Sequence, residues 1–303
     1  MSSANQHQKR NRFLGATLGA FTKWGFLVAA VILSGCDFLK IEEESTNPQP
    51  VAPPPQTAAP PPAPVAPPAP PVVPPEKVAE QIIKEFYNLN PQQVNDQALQ
   101  KLASIYDPAK ETIDNLNLQS SGVTDNSFES IKKFPNLKNL NMAMTHITKD
   151  SMINLRDLDN LEIVNLGHTP ADNEVVKLLA GIPTIRSLDL NETRIDDHAL
   201  GILDTFENLE RLSVAGVASI DGGGFRGARK LANLKSLVLN RTGIVDQAIP
   251  IIAKYPLEEL HMSACYLITD RGIARLTGMK ELKYLNLRDN NSMTNRGLAK
   301  VAS

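Results

Sequence analysis

Leu282 to Val301 reads LKYLNLRDNNSMTNRGLAKV. The apolar residues three and five positions after Leu282, namely Leu285 and Leu287, alternate with polar ones. Period two is the pattern of a short strand with one buried face. A polar turn follows, then Met293, then Thr294, a residue type that caps helices. The stretch therefore spells strand, turn, short helix in about two dozen residues.

The same pattern recurs upstream. Aligned on Ile113, Leu137, Leu161, Ile185, Leu209, Leu234, Leu257 and Leu282, the chain repeats in steps of 24, 24, 24, 24, 25, 23 and 25 residues. Three positions on come Leu116, Leu140, Val164, Leu188, Leu212, Leu237, Leu260 and Leu285. Five on, and ten or eleven on, two further columns are apolar in all eight units, so thirty-two positions are apolar in a chain that is 42% hydrophobic. The residue after the last column is Thr124, Thr148, Asp172, Asp196, Asp221, Val245, Thr269 or Thr294. All but Val245 can cap a helix, and apolar residues then follow at helical spacing, as in Leu200 and Leu203. One such unit cannot bury its apolar face alone, so neighbouring units must stack and their strands pair side by side.

This pattern resembles the leucine-rich-repeat family, from Ile113 to the end of the sequence. Thr269-Asp270-Arg271-Gly272-Ile273 and Thr294-Asn295-Arg296-Gly297-Leu298 resemble its Thr-Asp-x-Gly-Leu type of unit. The resemblance implies an α/β fold, a right-handed solenoid with a parallel sheet on the concave face and short helices on the convex one. Glu76–Asn88 reads as a helix, and Val94–Leu102 copies the helical half of a repeat. Residues 76–107 are therefore expected to be a helical N-terminal cap, and residues 108–303 about eight repeats. The sequence stops at Ser303 within the eighth helix, which predicts an open C-terminal edge suited to self-association or to a partner.

The first 36 residues hold Lys9, Arg10, Arg12 and Lys23 and no acid. Trp24–Gly35 is apolar but short for a membrane crossing, and fits the apolar region of a secretory signal. Leu33-Ser34-Gly35-Cys36 resembles the lipobox of bacterial lipoproteins, which implies cleavage before Cys36 and acyl chains on it. Two or three such chains anchor a protein stably. The competing reading is a signal-anchor helix extended back through Phe13–Phe21. Residues 37–75 follow as a stalk. Fifteen of the 22 prolines lie between Pro48 and Pro75, which predicts extended polyproline II at ~3.1 Å per residue, on the order of 85 Å if straight. A spacer is the reading favoured over docking to SH3- or WW-like grooves, because basic and aromatic neighbours are missing. Localisation is expected to be the cell envelope, lipid-anchored, on the periplasmic side or the surface.

Formal net charge is −2 from 31 basic and 33 acidic residues. Taking away the four basic residues of the leader leaves 27 and 33, near −6. That argues against a nucleic-acid partner, which needs a basic footprint. Chemistry is hard to find. Gly222-Gly223-Gly224-Phe225-Arg226-Gly227 contains a Gly-x-Gly-x-x-Gly spacing, but its register puts it at the start of a convex helix, not between a strand and a long helix as a dinucleotide site needs. A frayed or missing helix is expected there. The five histidines show no metal-ligand spacing, and Cys265 is expected to pack inward. No catalytic set, cofactor or metal is expected.

The informative surface is the concave face. Asn117, Asn141, Asn165, Asp189, Ser213, Val238, His261 and Asn286 sit between the two strand apolars and point outward. Asn side chains stacked this way could bond to one another along the sheet as a purely structural ladder. Interface hot spots are usually Trp, Tyr or Arg, and here those are Arg211, Arg241, Tyr284 and Arg288, all in the C-terminal half. The candidate ligand-binding set is therefore Asn165, Asp189, Arg211, Arg241, His261, Tyr284, Asn286 and Arg288. The expected function is a lipid-anchored, non-enzymatic envelope protein presenting this surface to an unidentified protein, with a glycan as another possible ligand. The alternative is a structural envelope component that self-associates through its C-terminal end.

Overall fold

The computed structural model describes residues 74–229 and 231–301. Cys36, the apolar leader and the prolines before Pro74 lie outside the described residues. The expected fold class is the one observed. Eight three-residue strands form one parallel sheet in sequence order: β1 (Asn115–Asn117), β2 (Asn139–Asn141), β3 (Ile163–Asn165), β4 (Ser187–Asp189), β5 (Arg211–Ser213), β6 (Ser236–Val238), β7 (Glu259–His261) and β8 (Tyr284–Asn286). Register follows the repeat step, with Leu116 opposite Leu140 and Leu260 opposite Leu285. A short helix returns the chain after seven of the eight strands, for example Asn173–Leu179 and Asp197–Ile202.

The core is a continuous apolar column inside the coil. In the first seven repeats every position of the four apolar columns is 2% exposed or less, because a neighbouring repeat covers each from both sides. Leu282, Leu285, Leu287 and Met293 of the eighth are only half-buried. Among the described residues no strand lies beyond β8.

At the other end, α1 (Pro75–Tyr87) and α2 (Asp96–Ile105) lie against the first repeat. Tyr87 Oη donates to the Asn115 carbonyl at 2.9 Å, and Gly122 N–H donates to the Val94 carbonyl at 2.9 Å. Asn95 caps α2 by accepting from Ala98 N–H. Helix α2 thus takes the place of the helix of a preceding repeat.

The helix starts are tied to one another across repeats. Asp96 accepts from Thr124 N–H and Oγ1 at 2.8 and 2.6 Å. Asp125 does the same for Thr148, Asp246 for Thr269 and Asp270 for Thr294. These carboxylate clasps explain the Thr-Asp-x-Gly signature. The Thr donates to the Asp of the preceding repeat, and the Gly leaves room for that Asp. A methyl on Gly272 would collide with Asp246 Oδ1, and one on Gly297 with Asp270 Oδ1. Where the clasp residue is Lys149, the next cap is Asp172, 3.8 Å from its Nζ. Where it is Asn173, the next is Asp196, whose Oδ1 accepts from the Asn173 amide at 2.8 Å.

The glycine run is a packing device. Only one 3₁₀ turn, Gly223–Arg226, forms there. Gly222 has φ +91°, a left-handed conformation that favours glycine. A methyl on Gly224 would overlap the Asp197 carbonyl, and one on Gly227 would lie 3.2 Å from Gly201 Cα. Close packing on the preceding repeat, rather than a nucleotide, accounts for the spacing.

Candidate functional site: the concave face of the sheet

Each strand shows its first and third residues to the concave face and its middle residue to the core. The chain must then leave the sheet without wasting its backbone groups. It does so through a turn whose last residue is left-handed in every repeat: Ser120, Met144, His168, Glu192, Gly216, Arg241, Ala264 and Asp289, with φ between 53° and 74°. Seven of the eight are not glycine. The conformation points the residue's N–H at a carbonyl of the next repeat. Ser120 donates to Ala143, Met144 to Gly167, His168 to Asn191 and Glu192 to Ala215, at 2.8 to 2.9 Å.

The outward Asn residues do not form the purely structural ladder that their spacing would allow. Their carbonyl oxygens instead close this turn, as Asx turns do. Asn117 Oδ1 accepts from Gln119 N–H at 3.2 Å, Asn141 from Ala143 at 3.1 Å, Asn165 from Gly167 at 2.9 Å, and Asn286 from Arg288 at 3.1 Å. Asp189 plays the same part for Asn191 at 3.0 Å. Where the strand ends in Ser213, the turn is closed from the preceding repeat: Asn191 Oδ1 accepts from Ser213 Oγ and Ala215 N–H, both at 2.6 Å. Asn240 does the same for Ser263 N–H. Burial raises the Asp189 carboxyl above the usual aspartate range, against the Asn191 N–H and the nearby His168, which lower it.

The C-terminal residues singled out in the sequence separate into two groups. Arg211, His261, Tyr284 and Asn286 lie on strands β5, β7 and β8 and face the concave side. His261 and Tyr284 stack, ring centroids 4.9 Å apart and tilted by 35°. Tyr284 is 52% exposed. Arg211 is exposed and has no acidic partner among the described residues. It lines a polar cleft of about 240 Å³ with Glu210, Lys235, Ser236, Glu258 and Glu259. Arg241 and Arg288 lie past the strands, on the rim. Arg241 is held by Glu192, Nη2 to Oε1 2.9 Å, across the whole of the intervening repeat. Arg288 sits 3.5 Å from Asp289. The two N-terminal members, Asn165 and Asp189, are half-buried and turn-closing.

Sequence reasoning missed Glu192 and Gly216. A side chain on Gly216 would collide with the Glu192 carboxylate, so the glycine keeps the path of the Glu192–Arg241 strap open. No sequence signal marked them, because the column of left-handed residues in which Glu192, Gly216 and Arg241 follow one another shows only in the structure. Cys265 is buried and donates to the Leu239 carbonyl at 3.0 Å. It occupies the place of Thr145 and Thr169, whose hydroxyls donate to Met142 and Leu166. Burial pushes its thiol up, as expected of a structural cysteine. Among the described residues no three His, Cys, Asp or Glu side chains could hold a metal ion together, and no helix is long and apolar enough to cross a membrane.

A one-sheet coil with this repeating turn has the architecture of a leucine-rich-repeat solenoid. No family model matches the chain, and no curated protein matches it. Among solved structures it is similar to an internalin C2 from Listeria monocytogenes strain 4b F2365, at 21% identity over 74% of this chain and 88% of that one, with a TM-score of 0.47.

Proposed function

We propose that this chain is a lipid-anchored envelope protein whose concave face binds a protein partner through its C-terminal half. Cys36 carries the acyl chains, residues 37–75 are the spacer, and residues 76–303 are the capped repeat domain. The observation that carries the binding reading is the exposed His261–Tyr284 stack on the same face as Arg211, a guanidinium with no acidic partner among the described residues. Aromatic and Arg side chains are the usual composition of an interface hot spot, and here Arg211 lies three strands from Tyr284 in the same register row. Asn286 neighbours His261 by register and completes the platform. Arg241 and Arg288 frame it from the rim, and Asp189 and Asn165 mark its N-terminal limit.

A photo-crosslinking residue at position 286 in living cells tests this. One dominant crosslinked protein is expected, lost when Arg211→Ala and Tyr284→Ala are combined. Equal capture by the double variant would refute the site. Anchoring is read separately: Cys36→Ala should move the protein from the membrane fraction to the soluble one.

A further inference from the structure

Charge on the convex side is segregated along the coil. Counted from each cap residue to the next repeat anchor, the helical halves of repeats 1–4 carry eleven acids and five bases, and those of repeats 5–8 carry four acids and nine bases. The step is sharpest in the middle. Repeat 4 holds Asp196, Asp197, Asp204 and Glu207 with no Lys or Arg, whereas repeat 5 holds Arg226, Arg229 and Lys230 against Asp221 alone. Glu207, Arg226 and Arg229 are exposed.

Shape changes at the same place. Repeat 4 raises a helix on the surface, Asp197–Ile202, continued by a 3₁₀ turn, Leu203–Thr205. His198, Gly201 and Thr205 follow one side of it at helical spacing. His198 and Thr205 are exposed, and a methyl added to Gly201 would meet nothing within 4 Å. Repeat 5 has only the turn Gly223–Arg226. It leaves a cleft of about 400 Å³ lined by Gly222, Gly223, Arg226, Val245, Gln247 and Ile251. An acidic ridge therefore lies beside a hollow bordered by Arg226, and the bare glycine run is what makes the hollow.

A ridge and a hollow side by side, of opposite charge, are self-complementary. A two-fold axis along the helix direction, between repeats 4 and 5, runs two solenoids in opposite directions. It sets the ridge of each copy over the hollow of the other, acid over base, in two equivalent contacts. An axis along the solenoid would set repeat 4 over repeat 4, like over like, which is strongly disfavoured. An anionic bilayer or an acidic polymer would be drawn to repeats 5–8 and repelled by repeats 1–4. A second copy satisfies both halves at once.

We infer that the convex face is a homodimer interface, in which the Asp197–Thr205 ridge of each copy seats in the Gly222–Arg226 hollow of the other. The two concave faces then point away from each other, so the pairing does not rest on the role of Tyr284 and Arg211.

The test is a photo-crosslinking residue at position 198 of the full chain in living cells. An adduct of twice the chain's mass is expected, joined to residues 222–256 of the second copy. Asp204→Arg with Glu207→Arg should reduce it about tenfold, and so should Arg226→Glu with Arg229→Glu, because each pair sets like charges face to face. Co-expressing the two variants with different tags restores both unlike contacts, so the adduct should return between them, which a folding defect would not allow. Gly201→Trp should also remove the adduct while the unfolding midpoint holds, since the new side chain starts into open space. No adduct of twice the mass, one joined elsewhere on the second copy, an adduct to lipid or to another protein in its place, or variants that fail to rescue each other would overturn the inference. Arg211→Ala with Tyr284→Ala should leave the adduct unchanged, so failure here and failure of the concave site read out separately.

Discussion

If the Asp clasp and the helical glycine form one unit, Asp246 and Gly272 must be energetically coupled. Asp246 accepts from Thr269 N–H at 2.8 Å and Thr269 Oγ1 at 2.5 Å. Asp246→Ala removes two charge-assisted bonds and leaves a half-buried N–H to find water. Such bonds contribute about 1.5–3 kcal/mol each when fully buried, and half-burial brings the pair to about 2 kcal/mol. Gly272→Ala gains about 1 kcal/mol of helix propensity. Its methyl, however, would lie 2.9 Å from Asp246 Cγ and closer still to Oδ1. Overpacking costs about 1–3 kcal/mol, and displacing the carboxylate costs the clasp besides, so a net loss of about 2–3 kcal/mol is expected. The double variant loses the clasp once, has no carboxylate to collide with, and keeps the propensity gain. It should be about 1–2 kcal/mol less stable than the parent, well short of the sum of the singles. Urea unfolding followed by far-UV circular dichroism, with an unchanged slope, measures all three. Costs that add within about 0.5 kcal/mol would refute the coupling.

Leu188→Ala, at a fully buried strand position, should cost about 2–5 kcal/mol, and an unchanged urea midpoint would show the core register to be wrong. Gly216→Ala places a side chain at φ +74° against the Glu192 carboxylate and should cost about 1–3 kcal/mol, while Arg241→Ala, which removes only an exposed ion pair, should stay within about 0.5 kcal/mol. Hydrogen bonds from the Thr294 side chain and N–H hold Asp270 below its ordinary value, and bonds from His198 N–H and Asn173 do so for Asp196. Their contribution is complete above the unfolded aspartate value and is lost as pH falls through the lower folded one, so the midpoint should drop below about pH 4. Asp189 has the opposite sign: raised by burial, its ionisation weakens the fold as pH rises, so Asp189→Asn should be at least as stable as the parent near neutral pH. A less stable variant at that pH would refute this.

The core was legible because the four apolar columns answer to one requirement, burial between stacked repeats, and side chains of one type meet it every time. Leu140 or Leu237 could be placed from the repeat step alone. The turn was not legible. Its left-handed residue is Ser, Met, His, Glu, Gly, Arg, Ala or Asp, and no shared side-chain chemistry marks a backbone requirement met by the N–H. The Asn residues misled for a related reason. Their spacing suggests bonds along the sheet, whereas the nearest unsatisfied donor is the N–H two residues on, and the shorter closure wins. Arg241 reads as a free hot-spot residue because its partner, Glu192, lies 49 positions away, two repeats back rather than one. Thr124, Asp172, Asp196 and Thr269 cap their helices as read, whereas Thr148 makes no side-chain cap bond and the turn after Asp221 is capped at Gly222; the more distant half of each clasp needed the three-dimensional register.

One column carries its information in sign alone. The residue after each repeat anchor is Asp114, Lys138, Glu162, Arg186, Glu210, Lys235, Glu258 and Lys283, a strict alternation of charge at the strand entrances. Stacked at one strand spacing, like charges would repel and unlike ones attract. The contacts follow: Arg186 to Glu210 at 2.7 Å, Lys235 to Glu210 at 3.5 Å and Lys283 to Glu258 at 2.6 Å. The two cations beside Glu210, with the Arg186 bond foremost, hold its carboxyl below the ordinary range. Isolated exposed pairs stabilise little, but a row in which every neighbour is opposite also disfavours skipping a repeat, because a strand paired with the next but one meets a like charge at that junction. Lys235→Glu would put three acids in succession. The midpoint should fall at low ionic strength, and the deficit should shrink at about 1 M salt, where screening reaches only about 3 Å. Adding Glu210→Lys would only move one like pair, from 210–235 to 186–210, and leave the one at 235–258, so no more than slight rescue is expected. Full recovery, or a deficit indifferent to salt, would show that the column acts through packing instead.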